Sequence, residues 1–420
     1  MTGTAQRIEG QRWLSRDGRI ILAARLVRTF GFGYLAVVLA TYLAALGKTP
    51  VEVGVVLTAT IAGCALATVV SSAWADRLGR RRMLVAVSAL MTVGGLVFAV
   101  TDRTWLLALG ALTGAMSASS SDLGPANTID QAILAQTTAD EHRTRLFSYY
   151  SMVGNLAGAL GALFAGVVSF LARLGWTGVD AYRPLFVVYA ALGVVNALLL
   201  ARLSARVELA PVDPPRRIGI HRSRGIVLRL SLLYGLDSFA GGFAVQSLVA
   251  YWFTLRWGLT PQSLGVLFFA DGLLAGLSFL MAGPLARRFG LLRTMVFTQL
   301  PSNLLLVLLP LAPGAALAVL VFLVRSLFSQ MDIPTRQSYT MAIVEPDERT
   351  ATAGLTNVAR TAAGAAAPAV AGYAYSVAAL GAPFFLAGAL KVAYNLLIYR
   401  AFRDIRPPEE RARGGDADGR

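Results

Sequence analysis

Long apolar stretches alternate with short polar ones along nearly the whole chain. Each apolar stretch is close to or above the roughly 20 residues that an α-helix needs to cross a bilayer. Lipid offers no hydrogen bonds to a bare backbone, and these stretches lack the alternation of barrel strands, so each is predicted to be a helix. The pattern therefore predicts an all-α polytopic membrane protein with twelve transmembrane helices. We place these spans at residues 20–46, 51–75, 83–101, 104–124, 146–172, 184–203, 227–255, 262–285, 292–312, 314–333, 350–376 and 379–400.

Composition agrees with a membrane protein, and the distribution of charge predicts its orientation. Only 15% of the 420 residues are charged, whereas 56% are hydrophobic. Of the 38 lysines and arginines, 28 fall in the termini and in the loops on one side, against 5 in the loops on the other side. The positive-inside rule then predicts that both termini are cytoplasmic. We expect the protein to lie in the cell inner (plasma) membrane. Topology therefore accounts for the net charge of +15, and we expect no nucleic-acid partner.

The two halves of the chain resemble each other. The segments GKTPVEVGVV (47–56) and GLTPQSLGVL (258–267) share Gly, Thr, Pro, Gly and Val at the same spacing. Six spans per half mean that both halves enter the membrane in the same direction, so a pseudo-twofold axis runs along the membrane normal. We predict a cytoplasmic N-terminal segment, a six-helix bundle, a cytoplasmic linker, a second six-helix bundle and a disordered cytoplasmic tail. Their respective bounds are 1–19, 20–203, 204–226, 227–400 and 401–420.

One charged turn carries a family motif. The segment SAWADRLGRRR (72–82) matches the pattern G-x-x-x-D-[RK]-x-G-R-[RK], found between spans 2 and 3 of the major facilitator superfamily, except that Ser72 replaces the first glycine. With its length, twelve spans and duplication, the chain resembles a member of that superfamily of secondary transporters. The resemblance implies two pseudo-symmetric bundles and a gate at this turn. The matched gating residues are Asp76, Arg77, Gly79, Arg80 and Arg81.

The resemblance also implies how the gate works. Asp76, at the end of span 2, would accept hydrogen bonds from the free N–H groups at the start of span 11, a favourable place for an anion. That contact would hold the two halves together on the cytoplasmic side. The alternative is that Asp76 only pairs with the neighbouring arginines in solvent.

Charged and polar side chains inside the spans indicate a substrate cavity. A charge at the bilayer centre costs about 2.5–3.5 kcal/mol on insertion scales, so it should face water or a partner. Arg325 would share one helical stripe with Asp332 and Arg336 if Pro334 does not end the helix first. Arg25 and Lys391 are predicted to reach the membrane surface along their stems. The predicted cavity residues are Arg28, Tyr34, Asp237, Gln246, Arg325 and Arg360.

Two carboxylates are candidates for proton coupling. Asp271 lies near the middle of span 8, and Asp237 lies in span 7. Burial and a neighbouring cation change a carboxyl's affinity for protons in opposite directions, so such a group can switch as its access to water changes. The alternative for Asp271 is a permanent ion pair with Arg325 that only fixes helix packing.

These features predict a secondary active transporter that moves a small organic solute through the lipid bilayer by alternating access and is coupled to protons. Export is the expected direction. This expectation rests on how common exporters are, and no residue of the chain indicates it. The alternative is a non-transporting sensor or lipid scramblase on the same scaffold. The spans hold no Ser/His, Cys/His or metal-ligand constellation, so we expect no enzyme activity, no cofactor and no bound metal. The family resemblance implies a monomer.

Overall fold

A computed structural model describes residues 15–120, 124–137, 140–208, 222–345, 348–377 and 379–405. Over these residues the chain forms sixteen α-helices, short 3₁₀ turns and no β-strand. The helices of the first half are α1 (Arg16–Ala45), α2 (Pro50–Leu78), α3 (Arg80–Val100), α4 (Thr104–Leu112), α5 (Pro125–Thr137), α6 (Asp140–Phe164), α7 (Val167–Arg173) and α8 (Arg183–Leu200). The helices of the second half are α9 (Arg224–Gly242), α10 (Gln246–Trp257), α11 (Pro261–Phe289), α12 (Leu291–Leu308), α13 (Ala315–Ser329), α14 (Asp332–Ile343), α15 (Arg349–Ser376) and α16 (Ala382–Phe402).

These helices make up the twelve predicted spans, although four of the spans are interrupted. Spans 4, 5, 7 and 10 each consist of two helices in succession, namely α4 and α5, α6 and α7, α9 and α10, and α13 and α14. Ten helical segments of the described chain are long and apolar enough to cross a membrane. The other two spans are the divided span 4 and α15, a helix rich in alanine, glycine and threonine.

The predicted ends of spans 4 and 10 are wrong. The prediction ends them at residues 124 and 333, whereas the chain continues as α5 to Thr137 and as α14 to Ile343. Both helices are more polar than the helix before them, and both contribute buried side chains to the protein interior. Hydropathy detects helices that face lipid, so it misses polar helices whose partners are other helices.

The two halves have the same packing plan. In the first half α1 packs on α6, α2 on α4 and α3 on α8, and the corresponding pairs in the second half are α9 with α15, α11 with α13 and α12 with α16. The turns after α2 and α11 correspond as well. Gly79 and Gly290 adopt φ values of 95° and 89° there, in a region that disfavours residues with a Cβ. The structure therefore confirms the duplicated, pseudo-symmetric architecture.

The apolar cores show where the halves meet. We call the face at which α1 begins and α16 ends the terminus side. Away from this side, a single apolar cluster joins buried residues of both halves. On the terminus side there are two separate clusters, one built entirely from α1–α8 and the turns beyond α8, the other from α9–α16. The halves therefore share a core on the far side and part from each other toward the termini.

Candidate functional site

The far side is closed by direct contact between helices of opposite halves. Gly54 of α2 lies against Gly372 of α15 so closely that a Cβ on either glycine would collide with the other helix. Next to this crossing, the backbone N–H of Ala369 donates a hydrogen bond of 3.0 Å to the hydroxyl of Thr58. Small residues allow such close approach of transmembrane helices. The pair α2 and α15 is therefore one of the helix pairs that close the far side.

Two further pairs of helices complete the closure. The side-chain amide of Asn155 on α6 donates a hydrogen bond of 3.1 Å to the carbonyl of Gly272 on α11. The hydroxyl of Ser247, at the start of α10, donates a hydrogen bond of 2.8 Å to the carbonyl of Ala36 on α1. All these contacts join the halves through backbone groups, so they depend on small side chains rather than on ion pairs.

A cavity of about 930 Å³ lies between the halves on the terminus side. Its wall includes Thr68 toward the end of α2 and Ala353 near the start of α15, so it extends to the terminus side between these two helices. The wall is lined by serines, threonines and amides as well as apolar side chains. Among the described residues, five charged side chains contribute to it, namely Arg28, Asp237, Arg336, Arg360 and Lys391.

In the first half, an ion pair joins span 1 to span 4. The guanidinium of Arg28 on α1 contacts the carboxylate of Asp130 on α5 at 2.7 Å, and their side chains are 3% and 0% exposed. The Tyr150 hydroxyl donates a second hydrogen bond to Asp130, at 3.1 Å. Arg25 donates to the side-chain oxygen of Asn127 at 3.0 Å and lies 3.7 Å above the ring centre of Tyr150. The prediction that Arg25 reaches the membrane surface is therefore wrong, because it has partners inside the bundle.

In the second half, the corresponding helices carry the opposite charges. Asp237 on α9 accepts hydrogen bonds from Arg336 of α14 at 3.1 Å and from Lys391 of α16 at 2.7 Å. Arg336 also pairs with Asp332, one helical turn before it, at 3.0 Å. Lys391 thus turns inward to a carboxylate, and the prediction that it reaches the membrane surface is wrong.

Arg360 differs from the other cavity cations. It lies on α15 in the cavity wall, near Asp237 and Asp332 but outside contact distance. Its Nε is buried without a hydrogen-bond partner, and no ion pair joins Arg360 to any described side chain. In the described part of the second half, three cations and two carboxylates therefore surround the cavity.

Three residues predicted for the cavity lie elsewhere. Tyr34 is fully buried within the first half, where its hydroxyl donates to the carbonyl of Leu185 at 3.1 Å. Gln246, at the start of α10, accepts a hydrogen bond of 3.0 Å from the backbone N–H of Ser120, so it belongs to the closed far side. Arg325 is on α13 and is not part of the cavity wall. Helix α13 ends at Ser329, whereas Asp332 and Arg336 are on α14. The predicted stripe of charges is therefore divided between two helices.

Asp271 lies between α11 and α13 rather than on the cavity wall. Its carboxylate accepts a hydrogen bond from the hydroxyl of Ser326, and Arg325 lies nearby on the same helix. No ion pair joins Asp271 to Arg325, although both side chains are described. The next residue, Gly272, faces Ala159 across the contact between the halves. Asp271 thus lies on α11, one of the helices that take part in the closure.

The gating turn is only partly described. The side chains of Asp76 and Arg77 lie outside the described residues. Gly79 ends α2 with its positive φ, so α3 can begin at the next residue. The remaining two predicted gating residues, Arg80 and Arg81, form the first turn of α3.

Glu208, beyond the end of α8, caps this first turn. Its carboxylate accepts hydrogen bonds from the backbone N–H groups of Arg80 at 2.6 Å and Arg81 at 3.2 Å. An anion at a helix N-terminus satisfies free donors and interacts favourably with the helix dipole. The roles of Glu208 and Asp130 and the pairing of Lys391 with Asp237 cannot be predicted from the sequence, because these contacts join residues far apart in the chain.

Two pseudo-symmetric six-helix bundles that share a core on one side and enclose a charged cavity toward the other define a membrane transporter fold. The chain belongs to the Major Facilitator Superfamily, whose family model matches residues 21–255 and again residues 230–419. This double match agrees with the repeat seen in the packing.

Relatives and solved structures agree with this membership. The chain is 27% identical to the uncharacterized membrane protein YJR124C of Saccharomyces cerevisiae, over 93% of this chain and 95% of that protein. It is 24% identical to the multidrug resistance protein MdtH of Sodalis glossinidius, over 83% of each. A bacterial homolog of the human lysosomal transporter Spinster, solved in an inward-facing and unoccupied conformation, superimposes with a TM-score of 0.70 at 16% identity, over 94% of this chain and 99% of that chain.

Proposed function

We propose that this protein is a secondary active transporter that moves a small organic solute by alternating access and couples this movement to protons. The observation that carries the proposal is the asymmetry of the core. The halves share buried apolar residues on the far side only, and the cavity with its charged wall occupies the terminus side. A rocking motion of the two bundles would open the far side and close the terminus side.

The charge distribution supports an orientation for this cycle. The positive-inside rule assigns the terminus side to the cytoplasm, so the described arrangement is the inward-open one. In the opposite state, Asp76 at the end of α2 would bind the N-terminus of α15 and hold the terminus side closed. We propose that the protein works as a monomer, because one chain holds both bundles and the whole cavity.

Export is the direction we propose. One relative is named a multidrug resistance protein, a name that fits removal of compounds from the cell. In proteoliposomes of fixed orientation, an exporter driven by an inward proton gradient accumulates solute on the side away from the termini.

Proton coupling would depend on Asp237 and Asp271. Asp237 borders the cavity with a side chain that is 5% exposed, and two cations hold it. Asp271 is one residue from the closure contact at Gly272 and is bound by Ser326 of the neighbouring helix. A proton on either carboxylate would remove an attraction between helices, which is how protonation could change the balance between the two states.

Alternating access can be tested without a known solute. In a Cys64→Ser background, a far-side pair (Thr58→Cys with Ala369→Cys) and a terminus-side pair (Thr68→Cys with Asn357→Cys) each bridge α2 and α15. We expect both pairs to form disulfides in membranes, although only the far-side residues are in contact here. A terminus-side pair that never cross-links would contradict alternating access. Uptake of a solute panel under an imposed pH gradient would then test transport itself.

A further inference from the structure

We infer that Arg360 binds the acidic group of the transported solute, so that the substrates are small amphipathic organic anions; this rests on the proposed transport function. Among the described residues, four cations and one carboxylate line the cavity wall. A wall of this composition favours binding of an anionic solute, unless each cation is already neutralised by a partner.

Three of the four cations are neutralised. Arg28 pairs with Asp130, which lies behind the wall. Arg336 pairs with both Asp332 and Asp237, and Lys391 pairs with Asp237. Only Arg360 has no ion pair with a described side chain, and its Nε is buried without a hydrogen bond.

The same pairing argues against a cationic solute. Among the described residues, Asp237 is the single carboxylate on the wall, and two cations hold it at 3.1 and 2.7 Å. A cationic solute would have to displace one of them and would approach Arg360 as well. Like charges at short range in a partly desolvated site repel each other strongly.

The chemistry of the guanidinium and of the rest of the wall narrows the solute class. A guanidinium binds a carboxylate, sulfonate or phosphate through two parallel hydrogen bonds, which neutral groups cannot match. The opposite wall, from the first half, offers apolar side chains such as Phe32, Ile61 and Met91. A solute with an acidic end and an apolar body would therefore bridge the two halves.

The test uses the purified full-length protein in detergent and three probes of one shape: biphenyl-4-carboxylate, its amide and biphenyl-4-methylammonium. Isothermal titration calorimetry gives the dissociation constant of each. In the wild type we expect the acid to bind about tenfold or more tightly than the amide, as charge-assisted hydrogen bonds predict, and the amine to bind most weakly. In Arg360→Gln, the dissociation constants of the acid and the amide should differ by no more than about twofold. Arg360→Lys should retain part of the preference for the acid.

Arg256→Gln, which removes an exposed arginine on α10 outside the cavity wall, is the control and should leave the preference unchanged. Equal binding of acid and amide, an acid preference that survives Arg360→Gln, or no binding by any probe would overturn the inference. The disulfide pairs described above test alternating access without any solute. Failure of that test alone would remove the transport function and leave the anion site, whereas failure of the titration alone would remove only the anion site.

Discussion

Each half of the molecule has a buried ion pair between equivalent helices, but the positions of the positive and negative charges are exchanged between the halves. In the first half, span 1 carries the cation and span 4 the carboxylate, as Arg28 and Asp130. In the second half, span 7 carries the carboxylate and span 10 the cation, as Asp237 and Arg336. A buried pair needs opposite charges at short range and does not depend on which helix carries which sign. The duplication thus preserved the helix packing and the pairing while the residues themselves diverged.

The same pair of helices shows where the cavity-facing cation of the second half comes from. The segments that begin α6 and α15 also resemble each other, and the alignment that brings Gly158 onto Gly364 places Gly154 of α6 opposite Arg360 of α15. In the first half the guanidinium of Arg25 occupies the space above Gly154, so that a Cβ there would collide with it. That cation has Asn127 and Tyr150 as partners. In the second half the cation comes from the α15 position itself and faces the cavity instead.

Breaking the first-half pair should have the largest effect on stability. Asp130→Asn leaves Arg28 as a buried charge without its carboxylate, which should lower the free energy of unfolding by about 3–5 kcal/mol. The measurement is unfolding of the purified protein in detergent by denaturant. The exchange variant Arg28→Asp with Asp130→Arg should recover part of the loss, since sign is interchangeable between the halves. An exchange variant no more stable than Asp130→Asn would argue against this reading.

The duplicated turns differ in one acid, and this difference can be tested. The first-half turn has Asp76 where the second-half turn has Arg287. Asp76→Asn should reduce disulfide formation by the terminus-side pair about tenfold, since an anion at a helix N-terminus contributes up to about 2 kcal/mol. The far-side pair should cross-link at least as well as before. Unchanged cross-linking of the terminus-side pair would mean that Asp76 only pairs with its neighbouring arginines.

Substitutions in the second-half cluster should lower the stability only modestly, but they should clearly change the pH dependence of the two states. Asp237→Asn leaves Arg336 paired with Asp332, so only Lys391 loses its partner, and the loss in stability should be about 1–3 kcal/mol. In the wild type, the ratio of far-side to terminus-side cross-linking should change between acidic and alkaline buffer. Asp237→Asn or Asp271→Asn should flatten this dependence, whereas Asp332→Asn should retain it. A pH dependence retained by both of the first two variants would exclude these carboxylates from proton coupling.

The smallest effect is expected at the caps that hold each half on the terminus side. Glu208 caps α3, and Glu348 accepts hydrogen bonds from the N–H groups of Arg222 at 2.7 Å and Ser223 at 3.0 Å before α9. Glu208→Gln keeps an acceptor but removes the charge, so we expect a loss of about 0.3–1 kcal/mol. Glu208→Ala should lose more, measured in the same unfolding experiment. Equal stability of all three proteins would show that the cap contributes nothing measurable.

Much of the candidate site could not be predicted from the chain. Arg28, Asp237 and Arg360 are predictable because a charge within an apolar stretch is conspicuous, and the structure places all three on the cavity wall. Asp130 is not predictable in this way, because it lies in a polar segment that hydropathy assigns to a loop. Lys391 is also conspicuous as a charge within a span. Its side chain turns inward because it pairs with Asp237, which is 154 positions away in the chain.

The sequence by itself determined that this chain spans a membrane, that it consists of two similar halves, and that it resembles the superfamily to which it belongs. Hydropathy, charge asymmetry and repetition are properties of local composition, and each can be read without knowing any contact. Only the tertiary structure decided which side is closed, which cations are neutralised and which one is left over. Those facts depend on pairs of residues brought together from distant helices, and the energy of a buried charge is set by the partner it meets rather than by its place in the chain.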